Sequence, residues 1–306
     1  METVIITGGT GTVGKQLTKL LIQEGFQVIL FTRNPKFNQR NDTVQYIHWD
    51  PNEKRINSDA IKQADYIINL AGASITDKRW TKKRRQEIIS SRVNSSELLV
   101  EALQRIPNKV KAVISTSAVG WYGADKEVDH AFSENEEQGT SFLSWTCKLW
   151  EDCIKPVELL HKRVVILRLG VVFTKNEGAL KKLTQSLKYR MATYIGSGKQ
   201  VISWIHITDL CHLYLAAIRN PNLSGIYNAV SSEPLSQKTI INRIAKQRFG
   251  FLYLPLFIPS FIIKFAMGQM ADEVLLTSTT ASNQKILQTG FLFKYPTLDE
   301  ECIKNL

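Results

Sequence analysis

What the 306-residue chain lacks narrows its function first. Its four cysteines, Cys147, Cys153, Cys211 and Cys302, form no Cys-x-x-Cys pair and no dense framework, so disulfides are not expected and a reducing compartment fits. The five histidines show no ligand spacing with cysteines or carboxylates, and no metal is expected. Internal repeats and low-complexity tracts are missing, which leaves out solenoids and disordered chains. No long unbroken apolar run exists. The nearest, residues 251–267, is interrupted by Pro255, Pro259 and Lys264 and is too short to span a bilayer, so packing inside a small lobe is expected ahead of contact with a membrane surface. A strand begins almost at residue 1, with no leader-like segment before it, and a cytoplasmic location is the expectation. Acidic residues are the minority, 28 against 39 basic, for a net charge of +11. The densest basic run, Lys78 to Arg85, leads into a helix. No nucleic-acid-binding signature accompanies it, so the charge is read as a solvated face or as attraction for an anionic small molecule.

What is present is concentrated at the start. A β-branched run over residues 2–7 leads into Gly8-Gly9-Thr10-Gly11-Thr12-Val13-Gly14, and Val13, Leu17, Leu20 and Leu21 then recur at helical spacing. Glycines between a strand and a helix allow a sharp turn and close approach to a pyrophosphate, while the helix aims its free amides at the phosphates. The motif therefore reads as a dinucleotide site. Strands over 27–32, 44–49, 65–70, 110–117 and 163–169 alternate with helices over 57–63, 80–105 and 140–160, which predicts an α/β fold of the Rossmann type, a doubly wound parallel sheet. A smaller C-terminal substrate lobe completes it. Residues 1–170, rejoined by about 204–230, form the expected nucleotide domain, and 171–203 with 231–306 the lobe. The two long helices, 80–105 and 140–160, could form a homodimer face.

Three further positions refine the cofactor. Arg33 follows the second strand, where an acid would bind the ribose of NAD and an arginine would pair with the 2′-phosphate of NADP, so NADP(H) is favoured over NAD(H). Asp50 ends the third strand, where a carboxylate could accept from the adenine amino group. Leu70, Ala71 and Gly72 end the fourth, small enough for a cofactor to cross the backbone.

The combination of Gly8 to Gly14, Ser115-Thr-Ser-Ala-Val-Gly-Trp-Tyr-Gly123, Phe142-Leu143 with Cys147 and Trp150-Glu151, Arg168 to Val172, Gly178-Ala-Leu180, Ser203-Trp-Ile-His206 with Asp209, and Gly290 to Phe293 resembles the extended short-chain dehydrogenase/reductases. Specifically it resembles their atypical branch, the NAD-dependent epimerase/dehydratase family of the YfcH type. The resemblance runs end to end and implies a Rossmann domain, bound NADP(H) and an unassigned small-molecule substrate. It also exposes a departure. Ordinary members use a Tyr-x-x-x-Lys pair for proton transfer, and those positions here hold Leu143 and Cys147; Arg92 stands where the helper asparagine is expected.

Candidates to replace the lost pair are Ser117 as partner of a substrate oxygen, Tyr122 as proton donor, Cys147 as weak acid, Arg92 as fixed cation, and His206 as a titrating group beside Asp209. Trp150 and Glu151 look like domain packing. The expected function is an NADP(H)-dependent oxidoreductase or epimerase-like enzyme, and the alternative is a non-catalytic NADPH-binding regulator.

Overall fold

The computed structural model describes residues 1–34, 44–127, 130–175 and 177–306. Seven strands pair in parallel. They are β1 (Thr3–Thr7), β2 (Gln27–Thr32), β3 (Val44–His48), β4 (Tyr66–Asn69), β5 (Ala112–Ala118), β6 (Arg163–Leu169) and, late in the chain, a last strand at Gly225–Ala229. The spatial order, last strand–β6–β5–β4–β1–β2–β3, reverses direction between β1 and β4, the switch point where open α/β sheets bind ligands.

Strand alternation decides which helices cover which face. Val4, Ile6, Val28, Leu30 and Ile114 point to one side, into a core closed by α1 (Thr12–Gln23) and the later helix Ile207–Arg219. Ile5, Ile29, Phe31, Ile67, Val113 and Ile166 point to the other, under α2 (Ser58–Gln63), α3 (Lys82–Arg105) and the region of α4 (Phe142–Ile154). Helix α4 stops six residues before the predicted end at 160. Pro156 lacks the amide that an α-helical ladder needs, and residues 155–160 continue as a 3-10 helix.

Beyond β6 come β7 (Val171–Phe173), α5 (Gly178–Thr184), β8 (Met191–Ile195), β9 (Val201–Ile202), β10 (Trp204–His206), α6 (Ile207–Arg219), β11 (Gly225–Ala229, the last sheet strand), β12 (Leu235–Ser236), α7 (Gln237–Phe249), β13 (Leu254–Ile258) and α8 (Ser260–Met267). Strand β10 pairs with β7 in a separate two-stranded ribbon, as β8 does with β13 and β9 with β12. Phe173, Leu180, Tyr194, Trp204, Ile240, Ile244 and Leu298 share a core of their own.

One sequence expectation fails here. Residues 251–267 are not packed away: Phe251 is 83% exposed, Phe261 70% and Phe265 86%, and no residue of α8 is buried. Apolar composition alone does not tell a core segment from one that projects. No helix among the described residues is long and apolar enough to cross a membrane.

Candidate functional site

A crevice of about 670 Å³ opens at the carboxyl edge of the sheet, above the switch point. Its floor is made by the β1–α1 turn. Gly8 adopts φ +67°, and a Cβ there would stand 3.0 Å from the Leu70 carbonyl. A Cβ on Gly14 would fall 2.5 Å from Gly9 Cα, so glycine at 14 lets α1 start against the turn. Gly9 itself stands behind the wall, where a Cβ would meet Leu30 at 2.5 Å, and the crevice is lined instead by Gly8 and by Thr10 to Gly14.

Helix α1 is capped by Gly11, which has no side chain to offer, and its first turn holds no acid. Intrahelical bonding leaves the first-turn amides without acceptors, and nothing else among the described side chains caps them. A dinucleotide phosphate fits this end by shape and by charge. The neighbouring crossing is fixed: Thr7 donates to Asn69 Oδ1 at 2.7 Å and accepts the amides of Leu70 and Ala71 at 3.1 and 3.2 Å, while Asn69 Nδ2 reaches Ser96 at 3.1 Å. Leu70, Ala71 and Gly72 thus line the crevice as expected from their size.

At one mouth lie Arg33, Asn34, Trp49 and Asn52. Trp49 stacks on Phe31 with ring centroids 5.5 Å apart. Asp50 does not take part. Its carboxylate turns back to accept the amides of Asn52 at 2.9 Å and Glu53 at 3.4 Å, closing its own turn, and Asn52 occupies the lining position instead. An Asx turn satisfies an aspartate locally, which a strand-end position in sequence does not reveal.

At the opposite end stand Ser117 and Arg92, with Trp150 between the helices. Ser117 is buried on β5 and donates to Glu151 Oε1 at 2.7 Å. Glu151 is in turn gripped by Arg168 through Nε at 2.9 Å and Nη2 at 3.0 Å, both side chains fully buried. Burial opposes the Arg168 charge, but the hydrogen bonds and charge of Glu151 raise its pKa above the ordinary arginine value. The Arg168 guanidinium also lies 3.9 Å above the Trp121 ring.

Arg92 lies over Trp150 at 4.9 Å and spends one nitrogen on the carbonyls of Ala73 and Ile88, at 3.1 and 2.9 Å. Burial draws its pKa down to about 10, which still leaves it a cation near neutrality. No carboxylate pairs with it among the described residues. A Cβ on Gly72 would come 3.1 Å from its Cζ, so that glycine makes room for the guanidinium.

Three other sequence candidates sit elsewhere. Tyr122 is buried behind β5, stacked on Phe132 at 4.8 Å, donating to Asn228 Oδ1 at 2.8 Å and accepting from Arg168 at 3.0 Å. Burial pushes its phenol up to about 12. It is a core residue, not part of the crevice wall. His206 is also buried: Nδ1 accepts the Thr208 amide at 3.1 Å and caps α6, and the ring lies 4.2 Å from that of Tyr295. Asp209 does not orient it, because its carboxylate receives the amides of Lys294 and Tyr295 at 2.7 and 2.9 Å. Cys147 lies close behind Ser117 and Arg92 but is walled off, its thiol pushed up to about 11 chiefly by burial. Leu143, in the lost tyrosine position, packs with Trp80, Ile88 and Met270.

The residues that sequence reading missed are therefore Glu151 and Arg168. Arg168 sits near the end of β6 between Leu167 and Leu169, and a charge in a strand buried on both faces was the available signal. Among the described residues no group of His, Cys, Asp or Glu could hold a metal ion.

Known proteins share this fold. The profile described as NAD dependent epimerase/dehydratase family matches residues 4–230, and a domain of unknown function, DUF1731, matches 258–302. The chain belongs to the NAD-dependent epimerase/dehydratase family. Within it, the chain is an atypical extended short-chain dehydrogenase/reductase. The epimerase family protein SSP1921 of Staphylococcus saprophyticus is 34% identical over 300 residues, covering 97% of each chain. The epimerase family protein YfhF of Bacillus subtilis is 32% identical over 297 residues, covering 97% of this chain and 95% of that one. Among solved structures, the human epimerase family protein SDR39U1 (isoform 2) with NADPH aligns with a TM-score of 0.86 and 26% identity, covering 99% of this chain and 100% of that one.

Proposed function

We propose that this epimerase-family chain is an NADP(H)-dependent oxidoreductase or epimerase acting at an alcohol or carbonyl carbon of a small molecule. Residues 1–170 and about 204–230 hold the cofactor, and 171–203 with 231–306 enclose the substrate. The observation that carries this reading is Arg92, a half-buried cation without a carboxylate partner among the described residues, at the end of the crevice beside Ser117. A fixed cation beside a serine hydroxyl suits an oxyanion that develops on a substrate carbon at this end of the crevice.

When bound, the nicotinamide supplies the hydride donor or acceptor. The protein supplies the rest. The Ser117 proton is held by Glu151, so its oxygen offers lone pairs to the crevice and accepts from a substrate hydroxyl rather than donating to a carbonyl. Ser117, anchored by Glu151, holds the substrate oxygen in place, and the proton that this oxygen loses on oxidation or gains on reduction exchanges with water through the open crevice. Arg92 keeps its proton throughout and stabilises the substrate oxygen by charge and N–H donation. Arg33, exposed at the mouth, pairs with the 2′-phosphate that distinguishes NADP from NAD. NADPH in the human relative supports that preference.

Calorimetric titration with NADPH and NADH tests the cofactor reading. Removing a charge-assisted phosphate contact costs about 1.5–3 kcal/mol, so Arg33→Ala should weaken NADPH about 10- to 100-fold and leave NADH unchanged. Equal affinities that ignore the substitution overturn it. For the chemistry, a panel of carbonyl compounds and nucleotide sugars is screened for turnover, where Arg92→Met should lower kcat while NADPH affinity holds; turnover undiminished in Arg92→Met sinks the assignment.

A further inference from the structure

The charge of the chain is not spread evenly. Residues 178–208 and 234–271 together hold no aspartate or glutamate and ten lysines and arginines, of which Lys182, Arg243 and Lys264 pair with Asp77, Glu233 and Asp272 outside these segments. The second segment contains the projecting apolar unit, in which β13 pairs with β8 and leads into α8. Leu254, Leu256, Phe257, Phe261, Ile262 and Phe265 are all exposed on it.

The cations sit on the exposed rings themselves. Lys246 lies 5.3 Å over Phe251, Lys238 5.8 Å over Phe257 and Lys188 4.6 Å over Tyr189. Beside α8 a cleft of about 660 Å³ is lined by Ser197, Lys199, Ser260 and Lys264, the last also paired with Asp272 at 2.7 Å. A cluster of exposed large apolar side chains rimmed by cations marks an interaction site. Its cationic rim selects the partner, because a second copy of the same face would bring like charges together, whereas an anionic surface neutralises them.

We propose that the β13–α8 unit docks on the surface of an anionic lipid bilayer, its phenylalanines and leucines entering the interface and Lys188, Lys238, Lys246 and Arg248 meeting the headgroups. The segment is an interfacial anchor, not a span. It holds the crevice at the membrane surface without contributing to it, so the docking stands whether or not the chain turns over a substrate.

The full chain is sedimented with vesicles of phosphatidylcholine alone and with vesicles containing equimolar phosphatidylglycerol. Binding to the anionic vesicles only, weakened by added salt, is expected. Phe261→Asp with Phe265→Asp should abolish it, and Lys246→Glu with Arg248→Glu should reduce it at least about tenfold. Unchanged circular dichroism and thermal melting show that both variants remain folded, and either pair alone suffices if the other does not fold. No binding to anionic vesicles, or binding that survives both pairs, overturns the proposal. So does light scattering that finds a parent dimer which Phe261→Asp with Phe265→Asp makes monomeric, since the face then belongs to a second copy.

Discussion

At the β1–α1 end of the crevice the backbone makes the site, through a glycine turn and unpartnered amides, whereas at the β5–α4 end side chains make it, through buried Ser117, Glu151 and Arg168 and half-buried Arg92. The first end tolerates almost no side-chain volume. The second depends on charge balance inside the protein, where a polar group left alone is costly. The lesson is that the two ends of one crevice are held by different means, backbone shape at one and a buried charge network at the other.

The largest effect should come from breaking the charged end. Glu151→Gln leaves the Arg168 guanidinium buried without its counter-charge, which typically destabilises by about 3–5 kcal/mol. Urea unfolding measures it. A loss under about 1 kcal/mol would mean that water or a rearranged neighbour solvates Arg168, and that the charged end is not sealed.

His206 offers the next largest effect and asks whether that end extends to β10. Burial depresses its pKa to about 4, against about 6.5 in an unfolded chain. Between those values the unfolded state binds the proton and the folded state does not, so stability falls as pH drops from 6.5 towards 4. The span corresponds to at most about 3 kcal/mol, fully felt below pH 4 and absent above 6.5. In His206→Gln this contribution should vanish. Denaturation curves of parent and variant, taken at several pH values, should therefore converge as the medium is acidified; a constant gap across the window would show that His206 is not held neutral by burial.

At the backbone end, Gly14→Ala places a methyl 2.5 Å from Gly9 Cα, where backbone and not a flexible side chain must yield. Overpacking of this kind costs about 1–3 kcal/mol. It should also weaken cofactor binding, because α1 shifts with its amides. Calorimetry that finds full NADPH affinity in a destabilised Gly14→Ala would separate packing from phosphate recognition.

These contrasts explain what sequence could show. The glycine turn was legible because φ +67° at Gly8 and contact at Gly14 admit few other residues, so the letters record the geometry. The succession of strands and helices made the parallel sheet readable, and the folded chain supplies the order of its strands. Asp50, Tyr122 and His206 misled because each residue type serves locally as well as catalytically: one closes a turn, one packs on Phe132 and one caps a helix. Glu151 and Arg168 are 17 residues apart and belong to different elements, so only the folded chain shows them as a pair. The exposure of 251–267 was hidden likewise, since apolar letters do not say which side of the surface they occupy.

Tyr122→Phe gives the smallest effect and the sharpest boundary. The phenol links Asn228 to Arg168 behind the wall and touches nothing in the crevice. Its loss removes the donor to the buried Asn228 oxygen and one acceptor for Arg168, while the Glu151 grip on Arg168 remains. The expected cost is about 1–2 kcal/mol, seen as a lower melting temperature. NADPH affinity and turnover measured well below that temperature should match the parent. A fall in kcat without a fall in stability would instead put the phenol in the chemistry, and would move the boundary of the charged end outward to include it.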